Sequence, residues 1–145
     1  MTYRNGNYES SGLDNWMTPR HIIEELENEF GELFDPCPAY HDDSFNGLEI
    51  SWPRDKVCFV NPPYSRKLKE EFVKKAILES KKGKLCVLLL PVSTSTVLFH
   101  DYILPNKKEI RFVRGRLQFA GVNTKGLYVD NVDAMHDSMI VIFKK

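Results

Sequence analysis

Three apolar runs in this chain each stop at a proline, and that pattern limits the folds open to it more than any other feature. Val57-Cys58-Phe59-Val60 runs directly into Asn61-Pro62-Pro63-Tyr64, Leu85 to Leu90 stops at Pro91, and Leu33-Phe34 stops at Asp35-Pro36. Proline has a fixed φ and no amide hydrogen, so it neither continues a helix nor donates within a central ladder. Short, wholly apolar runs suit strands covered on both faces.

Helical patterns fall between these runs. Thr18-Pro19 opens one, with Thr18 as N-cap and Pro19 at the first helical position; Ile22, Ile23, Leu26 and Phe30 share a face, and Gly31 is the stop. A second runs from Leu68 to Ser80 with Phe72, Ala76 and Ile77 inward, closed by Lys81-Lys82-Gly83, and a short one covers Val97 to Ile103. Ile110, Phe112 and Val113 mark a strand running into Arg114-Gly115-Arg116-Leu117-Gln118-Phe119, and Met139 to Phe143 is a final strand. Helices alternate with strands early and strands dominate late. The expected class is therefore α/β: an open, mostly parallel sheet, compact, with antiparallel strand structure near the C-terminal end. Ligands in such sheets bind beyond the carboxyl ends of the strands, where Asp35, Asn61 and Pro91 fall.

A chain of 145 residues, 42% hydrophobic, has material for one core. Residues 1–15 are polar, without apolar periodicity, and read as a flexible arm; residues 16–145 read as one domain. No apolar run approaches a membrane span and Met1 to Ser11 lacks a secretory core, so a soluble protein of the cytoplasm is expected. Cys37, Cys58 and Cys86 are widely spaced within or beside apolar runs, as reduced core thiols would be. His21, His41, His100 and His136 are scattered, and no metal site is expected.

Net charge is zero but unevenly spread. Residues 1–50 hold 2 basic and 11 acidic residues, 51–103 hold 10 and 5, and 104–145 hold 8 and 4. If these segments lie on different faces, one face can meet a polyanion; a mixed solvated surface accounts for the totals equally well.

The motif most suited to chemistry is Asn61-Pro62-Pro63-Tyr64. The Asn61 side-chain carbonyl and the Pro62 backbone carbonyl can accept both hydrogens of a planar amino group at once, countering delocalisation of its lone pair. The two prolines hold that arrangement in advance, and Tyr64 offers a flat face for stacking a base drawn out of a duplex. Alternatively the prolines only end a strand and Tyr64 packs in the core. Arg66, Lys67 and Lys69 follow at once, placed either to meet a nucleotide backbone or simply to open a solvated helix. Arg114-Gly115-Arg116 is either a phosphate clamp, with Gly115 permitting close approach, or a pair of surface arginines. Ser93 to Thr96 either line the site or, the favoured reading, cap the next helix.

Asn61-Pro62-Pro63-Tyr64 resembles the catalytic motif of N6-adenine methyltransferases. With Trp16-Met17-Thr18-Pro19, Phe34-Asp35-Pro36-Cys37, Gly47-Leu48, Trp52, Pro91, Gly115-Arg116 and Phe119, the chain is similar to the compact phage-type, Dam-like DNA N6-adenine methyltransferases over most of its length after the arm. The resemblance implies a Rossmann-like sheet, S-adenosyl-L-methionine as cofactor, DNA as partner and methylation of adenine N6. It implies that Asn61, Pro62, Pro63 and Tyr64 form the catalytic pocket, that Thr18 and Pro19 approach the cofactor's carboxylate, that Asp35 binds its amino group beside Pro36, and that Asn61 borders it. Tyr64, Arg66, Lys67, Arg114 and Arg116 would face the DNA.

Two departures stand out. The first cofactor loop, Asp35-Pro36-Cys37-Pro38, lacks the usual glycine, and only 25 residues separate Asp35 from Asn61. The acid that grips the cofactor ribose is thus unassigned among Asp42, Asp43 and Glu49. Related motifs also methylate protein glutamine or RNA bases, and a relative that binds nucleic acid without catalysis would keep the same fold.

Overall fold

The structure, a computed structural model, describes residues 16–38, 46–63, 65–122 and 127–145. The arm read over residues 1–15, the candidate acids Asp42 and Asp43, and Tyr64 lie outside the described residues. In chain order the elements are β1 (Trp16–Met17), α1 (Arg20–Phe30), β2 (Leu33–Phe34), β3 (Val57–Val60), α2 (Arg66–Lys81), β4 (Cys86–Pro91), a π-helix (Leu98–Ile103) running into α3 (Leu104–Asn106), β5 (Glu109–Phe112), β6 (Gln118–Val122), β7 (Tyr128–Asp133) and β8 (Ser138–Phe143).

A five-stranded sheet has the order β2-β3-β4-β8-β5. β2, β3 and β4 are parallel, and β8 is antiparallel to both β4 and β5. The chain is thus α/β with a mostly parallel central sheet and an inserted antiparallel strand, as its apolar runs predicted. A smaller antiparallel sheet, β1-β6-β7, lies apart from it in pairing.

Alternate residues of a strand face opposite sides, and here they divide into two cores. Cys58 and Val60 of β3, Cys86, Leu88 and Leu90 of β4, and Met139, Val141 and Phe143 of β8 pack with Phe72, Val73, Ala76 and Ile77 of α2 and with the π-helix. Val57 and Phe59, Val87 and Leu89, and Ile140 and Ile142 pack instead with Ile22 and Leu26 of α1 and with Leu117 and Phe119. Strands buried on both faces must be apolar at every position, which is why they could be recognised without alternation. Phe72 is fully buried, and truncating it to Ala should cost about 3–5 kcal/mol.

The layering also separates two charged helices. Acidic α1 and basic α2 cover opposite faces of the sheet. Arg111 of β5 fastens the end of α1 through two 2.6 Å bonds to Glu29, which together with Glu109 raise its pKa and keep it charged.

Several boundaries differ from the sequence reading. α1 begins at Arg20 with Pro19 in the N-cap position, whose carbonyl accepts the amides of Ile22 and Ile23 at 3.1 and 3.3 Å. Thr18 is therefore not the cap; its hydroxyl is engaged elsewhere. Gly31 does end the helix, at φ +102°, donating to the Glu27 carbonyl at 2.9 Å. The strand expected to run on through Arg114 to Phe119 is instead two strands, β5 and β6, joined by a loop that turns at Gly115, φ +74°. Thr96 does cap the π-helix, accepting the Phe99 amide at 3.1 Å. Cys37, Cys58 and Cys86 are all buried.

Candidate active site

Parallel pairing brings the predicted residues to one edge. Phe34 is in register with Cys58 and Val60 with Leu88, so Asp35 is level with Phe59 and Asn61 with Leu89. Asn61 therefore stands two residues, roughly 7 Å along the strand, beyond Asp35 on the neighbouring strand. β5 runs alongside β4 and β8 runs against it, so the β5–β6 loop and the β7–β8 turn emerge at this same carboxyl edge.

Asn61 is 6% exposed, and Pro62 and Pro63 are buried with it. Its Nδ2 donates to Thr18 Oγ1 at 3.0 Å, across 43 residues of sequence. That bond fixes the side-chain amide: nitrogen toward Thr18, carbonyl oxygen on the other side. It also explains why Thr18 does not cap α1.

Asp35 is exposed at the end of β2, and its Oδ1 accepts the Cys37 amide at 2.8 Å, closing a turn through Pro36. The Pro36 backbone is pressed against Gly47: a Cβ there would lie 1.7 Å from the Pro36 carbonyl oxygen. Close approach, the reason suggested for Gly115, thus applies to Gly47. At Gly115 a Cβ would meet nothing within 4 Å, and glycine is required there for its left-handed backbone.

Gly47 is held by Trp52, whose buried indole Nε1 donates to its carbonyl at 2.9 Å. The Trp52 amide donates to Glu79 Oε1 at 3.0 Å. Glu79, 1% exposed, also binds Lys84, Lys75 and Lys82. Burial pushes its carboxyl upward, but the hydrogen bonds from Lys84, Trp52 and Lys75 outweigh that and bring the pKa down to about 2. Glu49, the third candidate for the ribose acid, is exposed on the 46–52 segment.

The predicted DNA-facing cations spread along the edge. Arg66 and Lys67 are exposed in the first turn of α2, Arg66 pairing with Glu70 at 2.9 Å. Arg114 and Arg116 are exposed on the β5–β6 loop, with Arg116 Nε 4.0 Å from Asp137 Oδ1 on the β7–β8 turn. Backbone bonds knit this rim: Ala134 to Leu117 at 2.8 Å, Val113 to Ser138 at 3.0 Å and Val92 to Asp137 at 2.8 Å.

Three hollows follow the rim. One of about 20 Å³ touches Asn61, Phe119, Met135 and His136. Another of about 150 Å³ lies between Lys69, Pro91, Ser93, Met135 and His136. The third, about 300 Å³, has Arg66, Lys69, Ser93 and Thr96 at its polar side and Leu90, Leu98, Phe99, Ile103 and Met139 as an apolar wall. Ser93 and Thr96 line this third hollow, and Thr96, which accepts the Phe99 amide, also donates to the Ser93 carbonyl at 3.0 Å. Burial lowers the pKa of Lys69; Glu70 opposes this and Arg66 adds to it.

Sequence reasoning overlooked Ser65, whose Oγ is buried with no hydrogen-bond partner among the described residues. It also overlooked the Met135-His136 turn and the Glu79–Trp52–Gly47 chain; a lone Ser, Met or Glu carries no periodicity or spacing that would flag it. Among the described residues no group of three metal-ligating side chains stands together, and no helix is long and apolar enough to cross a membrane.

Residues 5–145 match the family described as DNA N-6-adenine-methyltransferase (Dam). Two relatives, each named DNA N-6-adenine-methyltransferase, come from Haemophilus phage HP1 and Escherichia phage T1. The HP1 protein is 33% identical over 130 residues, covering 81% of this chain and 73% of its own. The T1 protein is 33% identical over 108 residues, covering 68% of this chain, which spans only 44% of the T1 protein's length. With nearly its whole length matched, and the motif of Asn61 to Pro63 at the edge of a parallel sheet, this chain belongs to the Dam family of DNA N-6-adenine-methyltransferases.

Proposed function

We propose that this chain transfers a methyl group from S-adenosyl-L-methionine to the exocyclic N6 of adenine in DNA, in the cytoplasm of a phage host, and that residues 16–145 form a single Rossmann-like methyltransferase domain. The observation that carries this reading is the placement of Asn61, buried at the end of a parallel strand, beside the strand that ends at Asp35, with its amide turned by Thr18.

The donor set fits the cofactor. Asp35 supplies an exposed carboxylate for an ammonium group, and the start of α1 at Thr18-Pro19 supplies the partial positive charge that favours a carboxylate. Pro36, seated on Gly47, holds the acid's turn in place. S-adenosyl-L-methionine, when bound, supplies an electrophilic methyl group on sulfonium sulfur.

The chain's own residues prepare the acceptor. Asn61 Oδ1, directed away from Thr18, and the Pro62 carbonyl each accept one N6 hydrogen, which localises the nitrogen lone pair toward the methyl group. Their geometry is set before the base arrives, so little reorganisation accompanies transfer. Asn61 and the neighbouring prolines are buried, which keeps water from competing for those hydrogens. Tyr64 stacks on the base, Arg66 and Lys67 neutralise phosphates on one side, and Arg114 and Arg116 do so on the other. In-line displacement at a methyl group is a matter of positioning, for which this edge is built.

The test is transfer of tritium from labelled S-adenosyl-L-methionine to unmethylated DNA, with identification of the modified base. Label in N6-methyladenine, lost in Asn61→Ala while the cofactor still binds, is the expected result. Label in RNA or in protein glutamine instead, or no cofactor binding, overturns the reading.

A further inference from the structure

A base drawn out of a duplex leaves a gap in the stack, and the gap costs several kcal/mol unless something apolar fills it. Six other large hydrophobic side chains among the described residues are also exposed, but Met135 is the most exposed, at 74%. It sits on the β7–β8 turn, where it borders both the hollow beside Asn61 and the hollow beside Lys69. Exposed Leu78, Leu104 and Phe112 line none of these three hollows.

The surroundings point to nucleic acid. Cations stand near Met135: Arg116, whose Nε lies 4.0 Å from Asp137 Oδ1 on the same turn, and Lys69, which shares the 150 Å³ hollow with Met135, while Arg66 and its partner Glu70 line the larger hollow that Lys69 also borders. A phosphate backbone held by Arg116 and Lys69 would pass over the turn. The turn is also braced from below, since its flanking residues Ala134 and Ser138 are buried and bonded to Leu117 and Val113. A braced turn presents an apolar tip at a fixed height, which an exposed loop alone does not. Methionine is unbranched and polarizable, well suited to a slot between base pairs. The hollow at Asn61, about 20 Å³ and so about the size of one water, has Met135 and His136 in its wall, so the turn and the Asn61 edge adjoin.

Building on the DNA adenine reading, we infer that Met135 is a positioning residue that enters the duplex as the target adenine leaves it and holds the vacated place. It touches neither the cofactor nor the reacting nitrogen. Its contribution depends on how hard the base is to extract, and this separates it from a structural role.

Sites are first mapped on plasmid DNA methylated by the native protein. Duplexes carrying one site are then prepared with the target adenine opposite thymine or opposite an abasic position, where extraction is easy. Met135→Ala should lower kcat/KM at least tenfold on the paired duplex and less than twofold on the abasic one, and Met135→Leu should restore most of the loss. Equal losses on both duplexes, or no loss on either, overturn the role of Met135 while leaving the function intact. A native protein that methylates no adenine in DNA overturns the underlying reading and this inference with it. The side chain is exposed, so folding is not at stake; matching urea midpoints for native and variant proteins verify this.

Discussion

Replacing Glu79 by Gln keeps the side chain's shape and removes its charge, and the resulting loss of stability is predictable in both size and pH dependence. In the fold the carboxyl titrates at about 2, against an ordinary value of 4.5. At 1.36 kcal/mol per pKa unit, the charged form contributes about 3 kcal/mol to folding. Because the folded pKa is lowered, the unfolded chain binds the extra proton. The contribution is therefore complete above about pH 5 and disappears as pH falls from 4.5 toward 2. In Glu79→Gln, Lys84 is also left buried without its counter-charge, which pushes the loss at neutral pH toward the 3–5 kcal/mol typical of a broken buried pair. Urea unfolding followed by tryptophan fluorescence reads the transition through Trp16 and the buried Trp52, whose amide bonds to Glu79. The variant should lose about 3 kcal/mol at pH 7, and the gap between the two proteins should narrow steadily below pH 4. A gap that stays constant from pH 7 to pH 3, or one below 1 kcal/mol throughout, would refute the electrostatic argument.

Thr18→Val removes the acceptor that turns the Asn61 amide; the loss of one hydrogen bond worth about 1 kcal/mol should cut kcat about fivefold, and Thr18→Ser should restore it in steady-state assays. Ser65→Ala deletes a buried hydroxyl that has no partner among the described residues, so its urea midpoint should rise, by about 1 kcal/mol of stability, while methyl transfer falls if a substrate group normally satisfies that hydroxyl. Gly47→Ala drives a Cβ into the Pro36 carbonyl, a backbone group that cannot swing aside; it should cost about 3 kcal/mol in urea and weaken cofactor binding by calorimetry. Neutralising Arg66 or Arg116 should each reduce the slope of log K for DNA against log salt by about 0.9, the value for one phosphate contact, whereas a merely solvated arginine leaves the slope unchanged.

The strands β3 and β4 were legible because a doubly covered strand must be apolar throughout and proline stops it visibly, and those stops delivered Asp35, Asn61 and Pro91 to one edge. β7 was not legible: Val129 and Val132 are half-buried among exposed Tyr128, Asp130 and Asp133, and its pairing with β6 is irregular between Phe119 and Gly121, so no clean period of two survives. Thr18 was identified as a site residue but also given a local role as helix cap. Its actual partner is 43 residues away, and local pattern carries no information about such pairing. Lys69 and the arginines were visible as charges, but only the strand directions place the β5–β6 loop beside the β7–β8 turn.

The short span from Asp35 to Asn61 looked like a deficit, since its 25 residues leave no room for further strands and helices to buttress the first cofactor loop. The described part of that span uses a different brace. Gly47 lies flat on the Pro36 backbone, Trp52 ties the Gly47 carbonyl from within the core, and Glu79 ties the Trp52 amide to the far end of α2. Each link is buried, where an unmade hydrogen bond costs most, so the three act as one support. The missing glycine in Asp35-Pro36-Cys37-Pro38 then has a physical counterpart: the close backbone approach that glycine permits is made from the other side, by Gly47. A double variant, Glu79→Gln with Gly47→Ala, should accordingly lose less stability than the two single losses added together, because once the support is broken at one link the other has less left to hold. Strict additivity in urea unfolding would show that the links are independent and that the first loop is held by its own turn at Asp35 alone.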